Sequence, residues 1–418
     1  MAAQAQGRLS GVAQDSVTHE PLPFASVFLA NTTLGVTTTE KGEFEFKRVP
    51  KGTYSVVGSY VGYRLGKQTI TVGVAAAPQQ LTLLLAPTGN QLGEVVVKPA
   101  PNDPEQFRRF TAMFLGQSSF SEQCRISNPE KVRVFYDDST SVLTAQTKDF
   151  VEIDNEALGY RVKYYGLYFA YDNDEQSITY YGEPVFQELT PRDELQRRQW
   201  AANRATAYTG SFMHFLRCVY TNRVQAEGFV AQRVAPAPNS RFARADQQRR
   251  ALLARRPDGK FTATEQDSLT RWERVPPTLT TLYPRNRPID SLRRISADKQ
   301  HAYLRFRDAL RITHFGEEPD PRYGHPATPA TGPAPTGPTP TPSTPPPTPA
   351  AGTALTPYLS KRQVSELKLT DGEAEVQADG SLLNPLEVAL GGYWGFEKIG
   401  EFLPFDYVPP ASAAATPR

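Results

Sequence analysis

The feature that most constrains the fold is a two-residue alternation of apolar side chains across residues 7–85, interrupted by glycine and proline. Phe44 and Phe46 alternate with charged residues, and leucines recur at every second position over residues 81–85. A period of two places such side chains on one face of a strand. Short strands separated by Pro- and Gly-containing turns predict a seven-stranded, antiparallel β-sandwich within residues 1–88.

Four segments of this region, in the same order along the chain, resemble the carboxypeptidase-like regulatory domain. The resemblance implies a transthyretin-like sandwich, which accompanies catalytic or transport domains and carries no active site of its own. It covers about the first fifth of the chain. Thr39 departs from the pattern, because the family often has Asp in this turn. The matching segments are residues 21–27, 31–38, 49–54 and 60–63.

Size and charge exclude several classes of function. The 418 residues allow more than one domain, and 46 Lys and Arg against 44 Asp and Glu give a net charge of +2. This balance gives no reason to expect nucleic acid as a partner. No run of 18 apolar residues occurs, so no transmembrane helix is expected.

The first residues favour an exported protein. The sequence Ala3-Gln4-Ala5 has small residues spaced as a signal-peptidase site requires, whereas the basic and apolar regions of a signal peptide are missing from this chain. We therefore expect a location in the periplasm or at the outer membrane. The alternative is an ordinary N-terminal tail.

Residues 89–104 are expected to form a linker. Within it, residues 92–97 resemble the energy-coupling box that follows the same sandwich in Bacteroidetes TonB-dependent transporters, except that Gly93 replaces the usual Asp. The alternatives are an edge strand or plain linker. The chain is too short for a transporter barrel, so this resemblance implies at most an accessory of TonB-dependent uptake.

The rest of the chain predicts an α+β domain over residues 105–325 and 358–410. The expected fold class is therefore mainly β for the N-terminal sandwich and α+β for the domain that follows. Alternating, aromatic-rich segments between residues 132 and 181 predict an antiparallel sheet, preceded by a short helix over 107–115. One long helix is expected from Thr190 to about Val219, where Gly210 is either a close-packing point or a break. Residues 304–315 predict a strand pair, and residues 364–377 a hairpin.

Three polar stretches complete the expected organisation. Residues 326–357 are rich in proline and are expected to be a disordered insertion, and residues 411–418 a tail. Residues 236–257 are rich in arginine and predict a solvated loop or a short helix.

The span 158–229, with a closing segment at 393–407, resembles an uncharacterised domain of Bacteroidetes envelope proteins, which implies an architecture and a location but no chemistry.

His214 and Cys218 are the candidate catalytic pair, because residues four apart share one helix face. Such a pair can supply metal ligands or a base beside a thiol nucleophile. We favour the alternative of a buried thiol beside a hydrogen-bonded histidine, since no further Cys or His ligand stands nearby, and we expect no metal and no cofactor. Cys124 and Cys218 either form one disulfide or remain unpaired thiols.

These observations favour a non-enzymatic binding or scaffold protein of the cell envelope, with envelope proteins or glycans as partners and an oligomeric state that the sequence does not define. The residues proposed for binding are Tyr164, Tyr165 and Tyr168, unless they belong to a core face. One alternative is a hydrolase near His214 and Cys218. Pairs of carboxylates such as Glu152 with Asp154 are separate acid–base candidates, by composition alone. The other alternative is the TonB accessory.

Overall fold

The computed structural model describes residues 6–73, 79–88, 102–257, 259–298, 301–324 and 362–410. The TonB-box-like residues 92–97, the proline-rich residues 326–357 and the tail 411–418 lie outside the described residues.

Two facing sheets form the N-terminal sandwich. Its strands are β1 (Gln6–Asp15), β2 (Ser26–Leu29), β3 (Gly35–Thr37), β4 (Glu43–Pro50), β5 (Gly52–Ser59), β6 (Gly66–Val72) and β7 (Gln79–Leu85). One sheet has the order β4-β1-β7 and the other β3-β2-β5-β6. Phe44 and Phe46 point into the core between them, as their alternation predicts. The seven-stranded sandwich is confirmed, although β1 and β7 run parallel and not antiparallel.

Thr39 replaces the missing turn aspartate without loss of the turn. Its hydroxyl accepts hydrogen bonds from the backbone N–H groups of Lys41 at 3.3 Å and Glu43 at 3.2 Å. Hydroxyl side chains can make the same local bonds as Asp, more weakly.

The central unit is a six-stranded antiparallel sheet covered by one helix. Its elements are α1 (Pro104–Leu115), β8 (Cys124–Ile126), β9 (Val132–Asp137), β10 (Val142–Thr147), β11 (Phe150–Asn155), β12 (Tyr160–Asp172) and β13 (Ser177–Glu188). The long β12 pairs with β13 on one side, and with β11 and then β10 on the other. Phe110 and Phe114 of α1 pack edge-on against Phe169 of β12, so the helix covers the inner face of this sheet.

Helices and two further sheets form the last unit. Its helices are α2 (Glu194–Tyr208), α3 (Phe212–Thr221), α4 (Ser240–Arg255), α5 (Ala263–Glu273) and α6 (Tyr393–Phe396). Its strands are β14 (Phe229–Pro238), β15 (Thr278–Asn286), β16 (Arg293–Ile295), β17 (Ala302–Arg305), β18 (Ala309–His314), β19 (Gln363–Leu369), β20 (Glu373–Val376) and β21 (Val388–Gly392). The strand orders are β15-β14-β18-β19-β21 and β16-β17-β20.

The single long helix expected from Thr190 is wrong: the structure has two helices, α2 and α3. Asp193, not Thr190, caps α2 by accepting from the Gln196 N–H at 2.8 Å. Gly210 has φ of +80°, a conformation that costs glycine little, and Ser211 then caps α3. A Cβ on Gly210 would lie 1.9 Å from Gln363 Oε1, so Gly210 is both a break and a close-packing point.

Two predicted strand pairs also differ from expectation. The pair at 304–315 and the hairpin at 364–377 each contribute their strands to different sheets, since β18 and β19 pair with each other while β17 and β20 form a second sheet. The arginine-rich segment 236–257 contains the 16-residue helix α4, which is longer than the short helix expected.

The sandwich docks on the outer face of the central sheet. Phe28 stacks on Tyr165 with ring centroids 4.9 Å apart, inside a small buried cluster that also contains Ala30 and Val57. The loop after β2 adds a backbone hydrogen bond from Phe186 N–H to the Thr32 carbonyl at 2.9 Å. This contact involves three strands of the central sheet, through Phe150 of β11, Tyr165 of β12 and Val185 of β13.

Candidate functional site

A β-bulge in β12 turns one tyrosine toward solvent. Between the paired positions Tyr165–Glu183 and Tyr168–Tyr181, β12 has two residues, Gly166 and Leu167, where β13 has only Gly182. The additional residue shifts the alternation, so that Leu167 joins the core and Tyr168 points to the outer face. Gly166 has φ of +58°, which glycine adopts without a steric penalty.

Tyr168 stacks there on Tyr181 of the neighbouring strand. The ring centroids lie 5.0 Å apart with an interplanar angle of 20°, and Tyr181 is 53% exposed. Cross-strand aromatic pairs of this kind stabilise a sheet. Here Tyr181 is exposed and Tyr168 is half-buried, so the pair lies on the solvent side of the sheet.

Polar side chains extend this surface across four strands. Arg133, Gln146, Tyr168 and Tyr181 occupy directly opposed positions on β9, β10, β12 and β13. Neighbouring strands are about 4.8 Å apart, so the row spans roughly 14 Å. Phe135, two residues from Arg133 on the same face, is 66% exposed. We call these five residues the tyrosine platform.

The sandwich borders the tyrosine platform. Leu65 lies against Gly166, because a Cβ on that glycine would be 3.3 Å from Leu65 Cδ1. Lys67 forms an ion pair with Glu183 of β13. The platform therefore lies beside the docked sandwich, on the open part of the same sheet face.

The other two tyrosines proposed from the sequence are core residues. Tyr164 is 4% exposed and packs with Phe114 of α1, and Tyr165 is 5% exposed beneath the sandwich. Burial in the apolar core raises the pKa of Tyr164 well above its ordinary value. Tyr165 and Tyr168 both lie on the outer face of the sheet, but of the three tyrosines only Tyr168 is not buried. Tyr181, Gln146 and Arg133 could not be selected from the sequence, because strand register and the bulge bring them into one row.

His214 and Cys218 lie on the buried side of α3. The His214 Nδ1 accepts the Gly210 N–H at 3.2 Å, and its ring lies 5.9 Å from that of His314. Burial is the main reason that the pKa of His214 falls to about 3. Burial likewise raises the pKa of the Cys218 thiol to about 12. At neutral pH this arrangement holds a neutral imidazole and a protonated thiol, whereas a nucleophilic cysteine needs the thiolate.

The remaining polar candidates have structural partners. Cys124 and Cys218 are both free thiols. Asp154 is 4% exposed and accepts from Arg161 Nε at 2.6 Å and Ser127 Oγ at 2.6 Å. Burial raises the pKa of Asp154, but the hydrogen bonds and the charge of Arg161 outweigh it, so the pKa lies below its ordinary value. Such a carboxylate is a fixed ion-pair partner and not a poised acid or base.

A group of carboxyl side chains lies where the C-terminal segment meets the end of α1. Burial raises the pKa of Glu317 and of Glu401 to about 7, and raises that of Glu397 well above its ordinary value. In the described part of the chain no group of three or more His, Cys, Asp or Glu residues is arranged to hold a metal ion.

Comparisons with solved structures give only weak similarity. They include a type II cohesin–X-dockerin complex from Acetivibrio cellulolyticus (22% identity, 27% of this chain and 76% of that chain, TM-score 0.17). Others are a DUF3823 family protein from Bacteroides ovatus (11%, 44% and 82%, 0.16) and the Bacillus anthracis TIE protein (16%, 46% and 32%, 0.16). At these TM-scores the similarities carry no argument about this chain.

No curated protein matches the chain. Within the described residues, no helix has both the length and the apolar character needed to cross a bilayer. A family model does match the N-terminal region, over residues 9–97. The chain therefore carries, as its N-terminal sandwich, a CarboxypepD_reg-like domain, which is a regulatory and non-catalytic domain.

Proposed function

We propose that this protein is a non-enzymatic binding protein of the bacterial cell envelope, and that its tyrosine platform binds carbohydrate. The observation that carries the proposal is the stacked, solvent-facing pair of Tyr168 and Tyr181. The rings are held on adjacent strands of a packed sheet, so little conformational entropy is lost when a ligand contacts them. The envelope location rests on the resemblance of residues 158–229.

The chemistry of the platform suits a sugar. A pyranose ring presents a face of C–H groups and an edge of hydroxyl groups. The C–H face packs on an aromatic ring, whose face carries partial negative charge. Gln146 and Arg133 stand beside the rings in the same row and offer amide and guanidinium groups to the hydroxyls. An extended glycan matches the length of the open row of platform residues better than a single sugar does.

The position of the platform supports the same function. The sandwich covers the outer sheet face around Phe150, Tyr165 and Val185, whereas Tyr181 and Phe135 of the platform are exposed. Exposed apolar residues that cluster in this way on a soluble protein mark interaction sites. In this proposal the non-catalytic sandwich borders the platform on one side and leaves it accessible to a ligand.

The test has two steps. The full chain is first screened for binding to immobilised neutral glycans, and the glycans that bind it are then included in the gel for affinity electrophoresis. Tyr168→Ala and Tyr181→Ala should each weaken binding about tenfold, since truncation of a central aromatic contact costs on the order of 1.4 kcal/mol or more. Tyr283→Ala is the matched control, because Tyr283 is 37% exposed on β15, in a different sheet. Equal retardation of the wild type and both platform variants would contradict the proposal.

A further inference from the structure

A cleft of about 1140 Å³ opens in the last unit, between its five-stranded and three-stranded sheets. Its walls come from β14, β16, the turn between β17 and β18, and the turn between β19 and β20. The cleft exists because consecutive strands diverge here. β17 and β18, and likewise β19 and β20, leave their connecting turns for different sheets.

Arginine dominates the lining of the cleft. Six arginines and four carboxylates line it, which leaves an excess of two positive charges. The arginines are Arg233, Arg287, Arg293, Arg294, Arg305 and Arg307, and the carboxylates are Asp290, Asp308, Asp371 and Glu373. In the chain as a whole the two signs nearly cancel, so this excess is local.

Two of the arginines are neutralised and fixed in place. Arg294 donates to both carboxylate oxygens of Glu373, at 3.1 and 2.9 Å, and its guanidinium carbon lies 3.9 Å from the ring centroid of Tyr303. Arg233 donates twice to Asp308, at 2.8 and 2.6 Å. These ion pairs connect β16 to β20 and β14 to the β17–β18 turn. They therefore stabilise the relative positions of the elements that line the cleft.

The other four arginines take part in no ion pair with the described residues. Arg293 donates from Nη2 to the Tyr220 carbonyl at 2.8 Å, and its buried Nε lacks an acceptor in the described part of the chain. Arg287, Arg305 and Arg307 are exposed. Backbone hydrogen bonds fix the chain at two of them, from Arg305 N–H to the Leu292 carbonyl and from Arg287 N–H to the Ala231 carbonyl.

We propose that this arginine cleft is a second binding site, for an organic ligand that carries an oxyanion such as phosphate or carboxylate. The guanidinium group presents donors in a planar fork that matches both oxyanions and binds them in bidentate fashion. The four arginines that form no ion pair with the described residues line one cleft, so more than one guanidinium group is available to the same ligand. Asp290 and Asp371 also line the cleft, and their carboxylates can accept hydrogen bonds from hydroxyl groups of the same ligand.

The volume sets a lower limit on the ligand. Small-molecule sites occupy about 300–1000 Å³, so a free inorganic ion would leave most of this cleft filled with water. A phosphorylated or carboxylated sugar fills more of the cleft than such an ion and matches its mixture of charged and polar groups. The site is separate from the tyrosine platform, because its residues belong to other sheets.

The test is isothermal titration of the full chain with glucose 6-phosphate, glucuronate, inorganic phosphate and glucose. We expect the two sugar oxyanions to bind more tightly than inorganic phosphate, glucose to give no binding, and added salt to weaken the interaction. Preference for glucose 6-phosphate or for glucuronate then identifies which oxyanion the cleft takes.

Paired variants decide whether the cleft is responsible. The double variant Arg305→Gln with Arg307→Gln should lose at least about tenfold in affinity, because two charge-assisted interactions are removed. The double variant Arg241→Gln with Arg244→Gln removes the same charge from exposed positions of α4, outside the cleft, and should stay within twofold of the wild type. Absence of binding by both sugar oxyanions, or equal loss in the two double variants, would overturn the proposal.

Discussion

At the scale of single residues, burial decides which reactive groups can act. His214 and Cys218 have the spacing of a catalytic pair, yet burial lowers the pKa of the histidine and raises that of the thiol. Both shifts favour the neutral forms. The sequence shows the spacing but not the burial, so it could not separate a reactive pair from a packed one.

This burial predicts how the thiols react. In the native protein at pH 8, neither Cys124 nor Cys218 should be labelled by a thiol-specific disulfide reagent within minutes, since burial holds both pKa values at about 12. Both should react at once after unfolding in guanidinium. Repeating the assay with Cys124→Ser isolates Cys218, and rapid stoichiometric labelling of that native variant would refute the argument.

The carboxyl group of Glu317 predicts a pH dependence of stability. Its pKa in the folded protein is about 7, above the ordinary value near 4.5, so the folded state holds a proton that the unfolded state releases. Stability should therefore fall as the pH rises from about 4.5 to about 7. Glu317→Gln mimics the protonated form and should raise the free energy of unfolding at pH 8 by on the order of 1 kcal/mol.

The matched control for this prediction is Glu318→Gln, at the adjacent exposed position. Chemical denaturation of both variants and the wild type at pH 5 and pH 8 gives the comparison. The gain for Glu317→Gln should be larger at pH 8 than at pH 5. A gain of equal size at both pH values, or one shared by Glu318→Gln, would show that protonation of Glu317 is not the cause.

At the scale of elements, the sequence predicts strands and the faces that they bury, because local periodicity determines both. It does not predict which strands pair with each other. The alternation around Phe44 and Phe46 is enough for the sandwich, because each inward position is set by its immediate neighbours. The partners of β17 and β20 depend on residues far along the chain, so the hairpin predicted for residues 364–377 and the strand pair predicted for residues 304–315 are wrong in their pairing. The platform depends on the same kind of information, because the bulge at Gly166 and the pairing with Tyr181 place Tyr168 in the row on the outer face.

The break between α2 and α3 gives a prediction at this scale. Gly210→Ala should destabilise the protein by about 2–4 kcal/mol, because the left-handed φ penalises a Cβ and the methyl group would meet Gln363 Oε1 and His314 Nδ1. Gly372→Ala is the control for φ alone. Gly372 has φ of +78° with open space around a Cβ, and should cost only about 1–2 kcal/mol. Similar urea midpoints for the two variants would contradict the close-packing role of Gly210.

At the scale of the whole molecule, the docked sandwich determines which part of the central sheet remains open. The contact includes the Phe28–Tyr165 stack, and the chain near the C-terminus reinforces it. Asp406 accepts a hydrogen bond from the Thr33 N–H at 3.0 Å, and the Phe405 N–H donates to the Asn31 carbonyl at 2.7 Å. The platform thus depends on contacts between segments at opposite ends of the chain.

This dependence predicts that Phe28→Asp separates the sandwich from the central sheet. Phe28 is 2% exposed at the contact and does not belong to the core cluster of the sandwich, so an unpaired carboxylate there should cost several kcal/mol of docking while the sandwich itself remains folded. Small-angle scattering should show a larger radius of gyration, and calorimetry a separate transition for the sandwich. Ser26→Asp is the control, because Ser26 lies two residues earlier on the same face of β2 and is exposed. An unchanged radius of gyration for Phe28→Asp would mean that the aromatic stack does not hold the two units together.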